Sequence, residues 1–216
     1  EDVYRSIKAF SDSKPVLSGE DQKLYEEVLR DYRRAGLALP QDERKEVERL
    51  RKELSSLSTD FDANITKARK TLTLTREQLK GVPESFLEMN GIQTGEDAFS
   101  VQANVTWHFL NIMENAVSEQ TRKTMKQARY RLAGEENVAL LQSILELRTE
   151  IAHRLGYATW ADYQTEVKLA GKGETALQFL KDLKTGLQPK FDEEIRRYRA
   201  LKAEETGDPD ATLELW

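Results

Sequence analysis

Six apolar residues, Val47, Leu50, Leu54, Leu57, Phe61 and Ile65, follow one another at steps of 3, 4, 3, 4 and 4. That spacing returns to one side of an α-helix, so it predicts one helix from about Gln41 to Lys70, roughly 45 Å long at 1.5 Å per residue. Pro40 stands just ahead of it, where a missing N–H costs nothing, and Asp42 and Glu43 lie in the first turn, at the positive end of the helix dipole. A helix of that length in a soluble chain either spans a whole lobe or pairs as a coiled coil.

The rest of the chain is arranged around it. Leu24, Tyr25, Val28, Leu29 and Tyr32 recur at helical steps, predicting an amphipathic helix over 18–35 closed near Gly36. Between about 71 and 104 the period changes. Thr71-Leu72-Thr73-Leu74 alternates, Thr75-Arg76-Glu77 reads as a short helix start, and Gly81, Pro83, Gly91 and Gly95 punctuate the next twenty or so residues. Phe99, Val101 and Ala103 alternate with polar residues, as in a half-buried strand. This reads as a small β hairpin or ribbon among helices. Helical patterning resumes at about 105–116, 118–132, 135–155 and 159–168, with a last stretch over 174–205 that Gly186 and Pro189 should kink or split. The expected fold is mainly α: a single multi-helix lobe over 1–216, with one long helix and a small β insertion.

Composition then removes function classes. Among the 216 residues, 33 basic side chains face 38 acidic ones, a net charge of −5, which disfavours a generally basic nucleic-acid binder. There is no cysteine, so disulfide scaffolds, thiolate zinc sites and Cys nucleophiles are excluded. No apolar run approaches the ~18 residues of a membrane span, and the stretch Glu1-Asp2-Val3-Tyr4 does not read as a signal peptide. A cytoplasmic, reducing environment is expected. The AVILMFWYC set makes up 38% of the chain, a slight apolar deficit that argues against a large exposed apolar patch.

The candidate chemistry is sparse. A catalytic zinc takes about three protein ligands from His, Glu, Asp and Cys, and this chain offers His108 and His153 as its only imidazoles. Glu146-x-x-x-Glu150-x-x-His153 places three ligand types on one helix face, but di-iron bundles need a second such motif that His108 does not supply. Asp60-x-Asp62-x-Asn64 mimics the start of a calcium loop, yet Ile65 replaces its glycine and Thr71 its glutamate; Asp208-x-Asp210 fails likewise. These read as a helix surface and a polar turn. Gly171-Lys172-Gly173-Glu174-Thr175 lacks P-loop order and reads as a helix–helix joint. There is no Gly-x-Ser-x-Gly elbow. Arg122, Lys123, Lys126, Arg129 and Arg131, with Tyr130 and Trp107 nearby, could meet a nucleic acid, but Glu119, Glu135 and Glu136 balance them and favour a solvated helix.

Four stretches carry a family likeness. The first is Arg34-Ala35-Gly36-Leu37-Ala38-Leu39-Pro40, running into Lys52-Glu53-Leu54-Ser55-Ser56-Leu57 and Phe61-Asp62-Ala63-Asn64. The second is Leu74-Thr75-Arg76-Glu77-Gln78-Leu79-Lys80-Gly81-Val82-Pro83 with Phe86-Leu87. Thr121-Arg122-Lys123 is the third, and Leu147-Arg148, Ala152, Leu155-Gly156-Tyr157 and Ala161-Asp162-Tyr163 form the fourth. In this order they resemble the zinc metallo-oligopeptidases typified by thimet oligopeptidase, neurolysin and saccharolysin, with oligopeptidase A and mitochondrial intermediate peptidase as relatives. The likeness spans nearly the whole chain and departs at Glu166-Val167-Lys168-Leu169-Ala170.

The resemblance implies a mostly helical, two-lobed parent enzyme that cleaves short peptides in a deep channel, using a His-Glu-x-x-His zinc site C-terminal to the region matched here. It implies that this chain is a non-catalytic helical portion, a channel wall, with no catalytic or metal-binding residue of its own and no cofactor. Its partners would be the remaining C-terminal part of the same protein and, for the parent, zinc and short peptides; no nucleic acid and no membrane is expected. The alternative is a self-standing interaction module that uses the Val47–Ile65 seam as a coiled-coil face.

Overall fold

The structure is a computed structural model that describes residues 2–216; Glu1, at the head of the stretch that does not read as a signal peptide, lies outside the described residues. In chain order the elements are α1 (Asp2–Asp12), α2 (Gly19–Ala35), α3 (Gln41–Lys67), β1 (Thr71–Leu74), α4 (Glu84–Leu87), β2 (Gln93–Gly95) and β3 (Ala98–Gln102), followed by α5 (Thr106–Asn115), α6 (Glu119–Tyr130), α7 (Gly134–Arg154), α8 (Trp160–Thr165) and α9 (Gly173–Thr206). They form two compact units, one of residues up to Thr59 with Leu140–Thr185, the other of Asp60–Ala139 with Gly186–Trp216.

In the first unit, α2 ends where the sequence places a left-handed residue. Gly36 takes φ 92° as the cap, its N–H donating to the Arg33 carbonyl, while the next N–H, of Leu37, reaches back to Tyr32. This paired closure satisfies carbonyls that the helix end would leave bare. Val47 and Leu50 of α3 are buried against Ile151 and Leu155, with Leu39, Leu54, Leu147, Tyr157, Trp160 and Tyr163 around them. The N-terminal part of the predicted seam is therefore spent inside this core. Helix α1, which the sequence pattern alone does not predict, packs on α2 through Tyr4–Tyr32 and Phe10–Tyr25 ring pairs, with centroids 5.6 and 5.9 Å apart. The Tyr25 hydroxyl donates to Ser11 Oγ at 2.8 Å.

The second unit carries the β insertion as a three-stranded antiparallel sheet of order β1-β3-β2. Leu72 faces Val101 and Leu74 faces Phe99 across the β1–β3 pairing. Leu74, Phe99 and Val101 enter a core with Leu79, Phe86, Leu87, Ile112 and Met125. Thr75-Arg76-Glu77 does not start a helix: the chain turns there, Thr75 and Gln78 exchange side-chain bonds with each other's backbone N–H, and the short α4 comes only after Pro83. Gly81, at φ 93°, lets this turn close on α5; a Cβ there would lie 2.3 Å from the Asn115 carbonyl oxygen.

The expected break at Gly186 and Pro189 does not split the last helix, which runs on through Thr206 with Pro189 inside it. Proline removes one N–H bond, but this stretch is exposed, so the carbonyl left over meets water. No residue of α9 is buried. Its Leu177, Phe179, Leu180 and Leu183 in the first unit, and Leu187, Phe191, Tyr198 and Leu201 in the second, are all exposed. This overturns the expectation, drawn from the low apolar content, that no large apolar surface would be open.

Candidate functional site

The two histidines serve local structure. His108, at the start of α5, accepts the Gln102 backbone N–H at Nδ1 (3.1 Å) and stacks edge-on with Phe86 and Trp107; burial pushes its imidazole below the ordinary value. His153 lies on the last turn of α7, with Nε2 3.1 Å from the Ala158 carbonyl oxygen. On the same helix Glu150 takes Arg154 at 2.8 Å, and Glu146 accepts from Gln142 at 3.1 Å. The face predicted from Glu146, Glu150 and His153 exists as a helix surface of paired side chains. Among the described residues no three of His, Asp and Glu are grouped so that they could hold a metal ion.

The remaining motifs take polar structural roles. Asp60, Asp62 and Asn64 lie within α3, and Asn64 donates to the Oδ1 of Asn137 (3.0 Å), whose own amide donates to the Phe61 carbonyl (3.1 Å). Asn137 is buried, so this amide pair satisfies groups that would otherwise be costly to desolvate. Asp208 accepts the Asp210 N–H at 3.0 Å in a polar turn. Gly171 and Gly173 do form a helix joint: Gly173 opens α9 and gives its N–H to Asp162 Oδ1 at 3.0 Å. A Cβ at Gly173 would lie 2.9 Å from that of Ala161, which explains the glycine. Asp162 also accepts from Thr159, the cap of α8; the Thr159 hydroxyl and the Gly173 N–H together hold its carboxyl below the ordinary range.

The basic helix α6 directs its donors at the protein. Arg122 donates to the Ala116 and Val117 carbonyls at 2.5 and 3.0 Å, and Arg129 to the Ala103 carbonyl at 3.1 Å while covering the Phe109 ring. Lys126 reaches the Leu215 carbonyl at 2.9 Å, and the Lys123 ammonium sits 4.8 Å from the centroid of Trp216, whose indole N–H donates to Glu119. Beside it, a cleft of about 690 Å³ is lined by Lys70, Leu72, Gln127, Tyr130, Arg131 and Glu135 among others.

Charge is concentrated instead around Glu166, in the first unit. Its carboxylate takes Arg34 at 2.9 Å, together with Arg33 and the Tyr157 hydroxyl. Arg34 also donates to the Tyr163 carbonyl and lies over the Tyr163 ring. Arg51 closes the group by donating to the Arg34 carbonyl at 2.7 Å and to the Tyr163 hydroxyl at 3.3 Å. Burial pushes Glu166 up, but the bonds from Tyr157, Arg34 and Arg33 outweigh it and hold the carboxyl below its ordinary value. Burial and the adjacent carboxylate push the Tyr157 phenol up, keeping it a donor. The group joins α2 to the turn after α8, at the segment where the sequence departs from the family pattern, and three of its four acid and base members are arginines. It has the chemistry of a structural clamp, in which each charge has a hydrogen-bonding partner.

Among the described residues the side-chain groups are thus helix clamps, caps and turns, and α9 carries exposed apolar side chains. Comparison with known proteins shows what the chain is similar to. Residues 112–216 match Peptidase family M3. Saccharolysin of Saccharomyces cerevisiae is 33% identical over 207 residues, covering 94% of this chain and 28% of its own length. The chain is similar to named oligopeptidases along nearly all of its length. A probable thimet oligopeptidase of Arabidopsis thaliana is 30% identical over 96% of this chain and 29% of its own length, and oligopeptidase A of Escherichia coli is 25% identical over 95% and 32%. The chain therefore spans between a quarter and a third of the length of these M3 relatives.

Proposed function

We propose that this chain is a non-catalytic helical portion of a zinc-dependent oligopeptidase of the M3 type, one wall of a channel in which the whole enzyme hydrolyses short peptides. The observation that carries this reading is similarity to saccharolysin, a probable thimet oligopeptidase and a thimet-like oligopeptidase along 94–97% of the chain, which spans only 28–32% of their own length. The zinc such relatives would require does not fit here. There are two imidazoles and no thiol; each imidazole is engaged by backbone, and the acids nearest His153 are taken by Arg154 and Gln142. The metal chemistry is assigned to polypeptide outside this stretch, and this part supplies shape.

The absence of cysteine suits a reducing compartment such as the cytoplasm, and among the described residues no helix is long and apolar enough to cross a membrane. The coiled-coil alternative loses its main support, because Val47 and Leu50 are 2% and 1% exposed in the first unit's core. The test compares the 216-residue chain with the polypeptide encoded by its extended reading frame, on an internally quenched short peptide. The extended polypeptide is expected to cleave it in a chelator-sensitive way and the 216-residue chain to leave it intact. Cleavage by the 216-residue chain, or an extended polypeptide without peptidase activity, would overturn the assignment.

A further inference from the structure

In the sheet order β1-β3-β2, β1 has a neighbour on one side only. Its register is antiparallel, from Thr71 opposite Gln102 to Leu74 opposite Phe99, so alternate residues turn their backbone groups toward β3 and away from it. Two bonds fix which do which. The Ala103 N–H donates to the Lys70 carbonyl at 2.9 Å, while the Ser100 N–H, opposite Thr73, points the other way, to the Ile92 carbonyl at 2.6 Å. Lys70, Leu72 and Leu74 therefore face β3 with their backbone groups, and Thr71 and Thr73 each direct an N–H and a carbonyl at the open edge. Both threonines are exposed. The cleft of about 690 Å³ adjoins this strand: Lys70 and Leu72 line it together with Tyr130, Arg131, Glu135 and Glu136, all within the second unit. Lys70 and Arg131 are exposed, and among the described residues neither forms an ion pair.

We propose that the edge of β1 and the adjoining cleft bind a short extended peptide, lying antiparallel to β1 with its C-terminal carboxylate at Lys70 and Arg131. The class of ligand rests on the functional reading above; what is added is where on this chain such a peptide lies and in which direction. An extended peptide is the chemical complement of the edge. It presents an N–H and a carbonyl on one side at every second residue, so it can make hydrogen bonds to both backbone groups of Thr71 and of Thr73. Its residue opposite Leu72 turns a side chain to the side of the sheet on which Leu72 meets the cleft, which favours an apolar residue there. Running antiparallel, the peptide ends at the Lys70 end of β1, where the two unpaired cations receive its carboxylate. Charge decides against a second copy, because a β1 strand from another molecule brings no terminal carboxylate, and a pair of four-residue strands alone is marginal. Glu135 and Glu136 would suit the amine of a peptide lying the other way round, and the test separates the two directions.

Fluorescence anisotropy of the 216-residue chain tests this with the probe fluorescein-Gly-Thr-Val-Leu-Val-Thr, labelled at its amine and free at its carboxylate. The probe is expected to bind saturably, and its C-terminal amide about tenfold more weakly. That difference should vanish when Lys70→Gln and Arg131→Gln are combined. Methylating the backbone nitrogens of alternate probe residues should abolish binding in one phase and change it less than about twofold in the other, because only one set of N–H groups faces β1. Thr73→Pro removes a donor from the edge; proline is tolerated there because the N–H faces outward and Leu72 before it is already extended. It should weaken the probe by about fivefold or more, the worth of one hydrogen bond. Should that variant fail to fold, the methylated probes still decide the matter on the unaltered chain. No saturable binding up to ~1 mM, equal effects of the two methylated sets, or an amide that binds as well as the acid would overturn the proposal. So would tighter binding of a probe labelled at its C-terminus with its amine free, lost on Glu135→Gln or Glu136→Gln. A dimer in sedimentation that Thr73→Pro dissolves would assign the edge to a second copy and refute the occupant named here. Peptidase activity of the extended reading frame is scored separately. An active longer enzyme with no probe binding to the 216-residue chain refutes only the peptide site, while an inactive one with binding intact refutes only the functional reading.

Discussion

Truncating Leu50 separates a lobe-forming α3 from a coiled-coil α3. Leu50 is 1% exposed and packs with Val47, Ile151 and Leu155. Leu50→Ala forfeits roughly 2 kcal/mol of transfer free energy, and a partly collapsed cavity adds about 1 kcal/mol at ~24 cal/mol per Å³. The sum, about 3 kcal/mol, lowers Tm by roughly 6–12 °C in a chain of this size. Ile65 lies on the same predicted seam but is 38% exposed, so Ile65→Ala costs only about 1 kcal/mol. Trp160 packs against the Leu50 core, and with Trp107→Phe and Trp216→Phe it becomes the sole indole reporting on urea or thermal unfolding. Sedimentation run alongside reads the mass. The reasoning is refuted if the two truncations cost the same, or if Leu50→Ala lowers the mass of an oligomer while leaving the fold intact.

Three further perturbations probe other parts of the account. Gly81→Ala forces a Cβ to within 2.3 Å of the Asn115 carbonyl oxygen at a positive φ, and should cost more than about 1 kcal/mol by urea titration; an unchanged stability would refute the close approach. Glu166→Gln leaves Arg33 and Arg34 without their carboxylate; because Arg33 is half exposed the cost should be only about 1–2 kcal/mol. Since folding lowers the Glu166 pKa, its contribution is present above the ordinary carboxyl range of about 4.3 and disappears as pH falls through the folded value. The stability difference between wild type and Glu166→Gln should therefore shrink below pH ~4, and a constant difference would disprove the linkage. Pro189→Ala restores an N–H inside an exposed helix and should raise the 222 nm ellipticity of the chain and its stability by up to about 3 kcal/mol; no gain would show that α9 is interrupted in solution.

Much of this fold can be read from local pattern. The 3-4 steps of α3, Gly36 at the close of α2 and the alternation in β1 and β3 are written in neighbouring residues, and each appears where predicted, with α3 ending at Lys67. Helix α1 has a helical Val3–Ile7–Phe10 spacing but only 11 residues, and what anchors it is contact with Tyr25 and Tyr32 of α2. The turn after β1 misleads local pattern because Thr75 and Gln78, a good capping pair, exchange their bonds with no helix after them. Interactions between distant residues leave no local trace. Asn64 and Asn137 are 73 positions apart, and Arg33 and Glu166 are 133 apart. The open face of α9 is legible as periodicity, but composition misjudges it, because an average over 216 residues does not reveal that one helix holds so many uncovered apolar side chains.

Metal content measures the central claim most directly. The purified 216-residue chain, equilibrated with zinc, dialysed and analysed by atomic emission, should carry zinc only at background, because His108 and His153 are each held by backbone and no thiol is present. One zinc per chain, lost on His108→Ala or His153→Ala, would contradict the account.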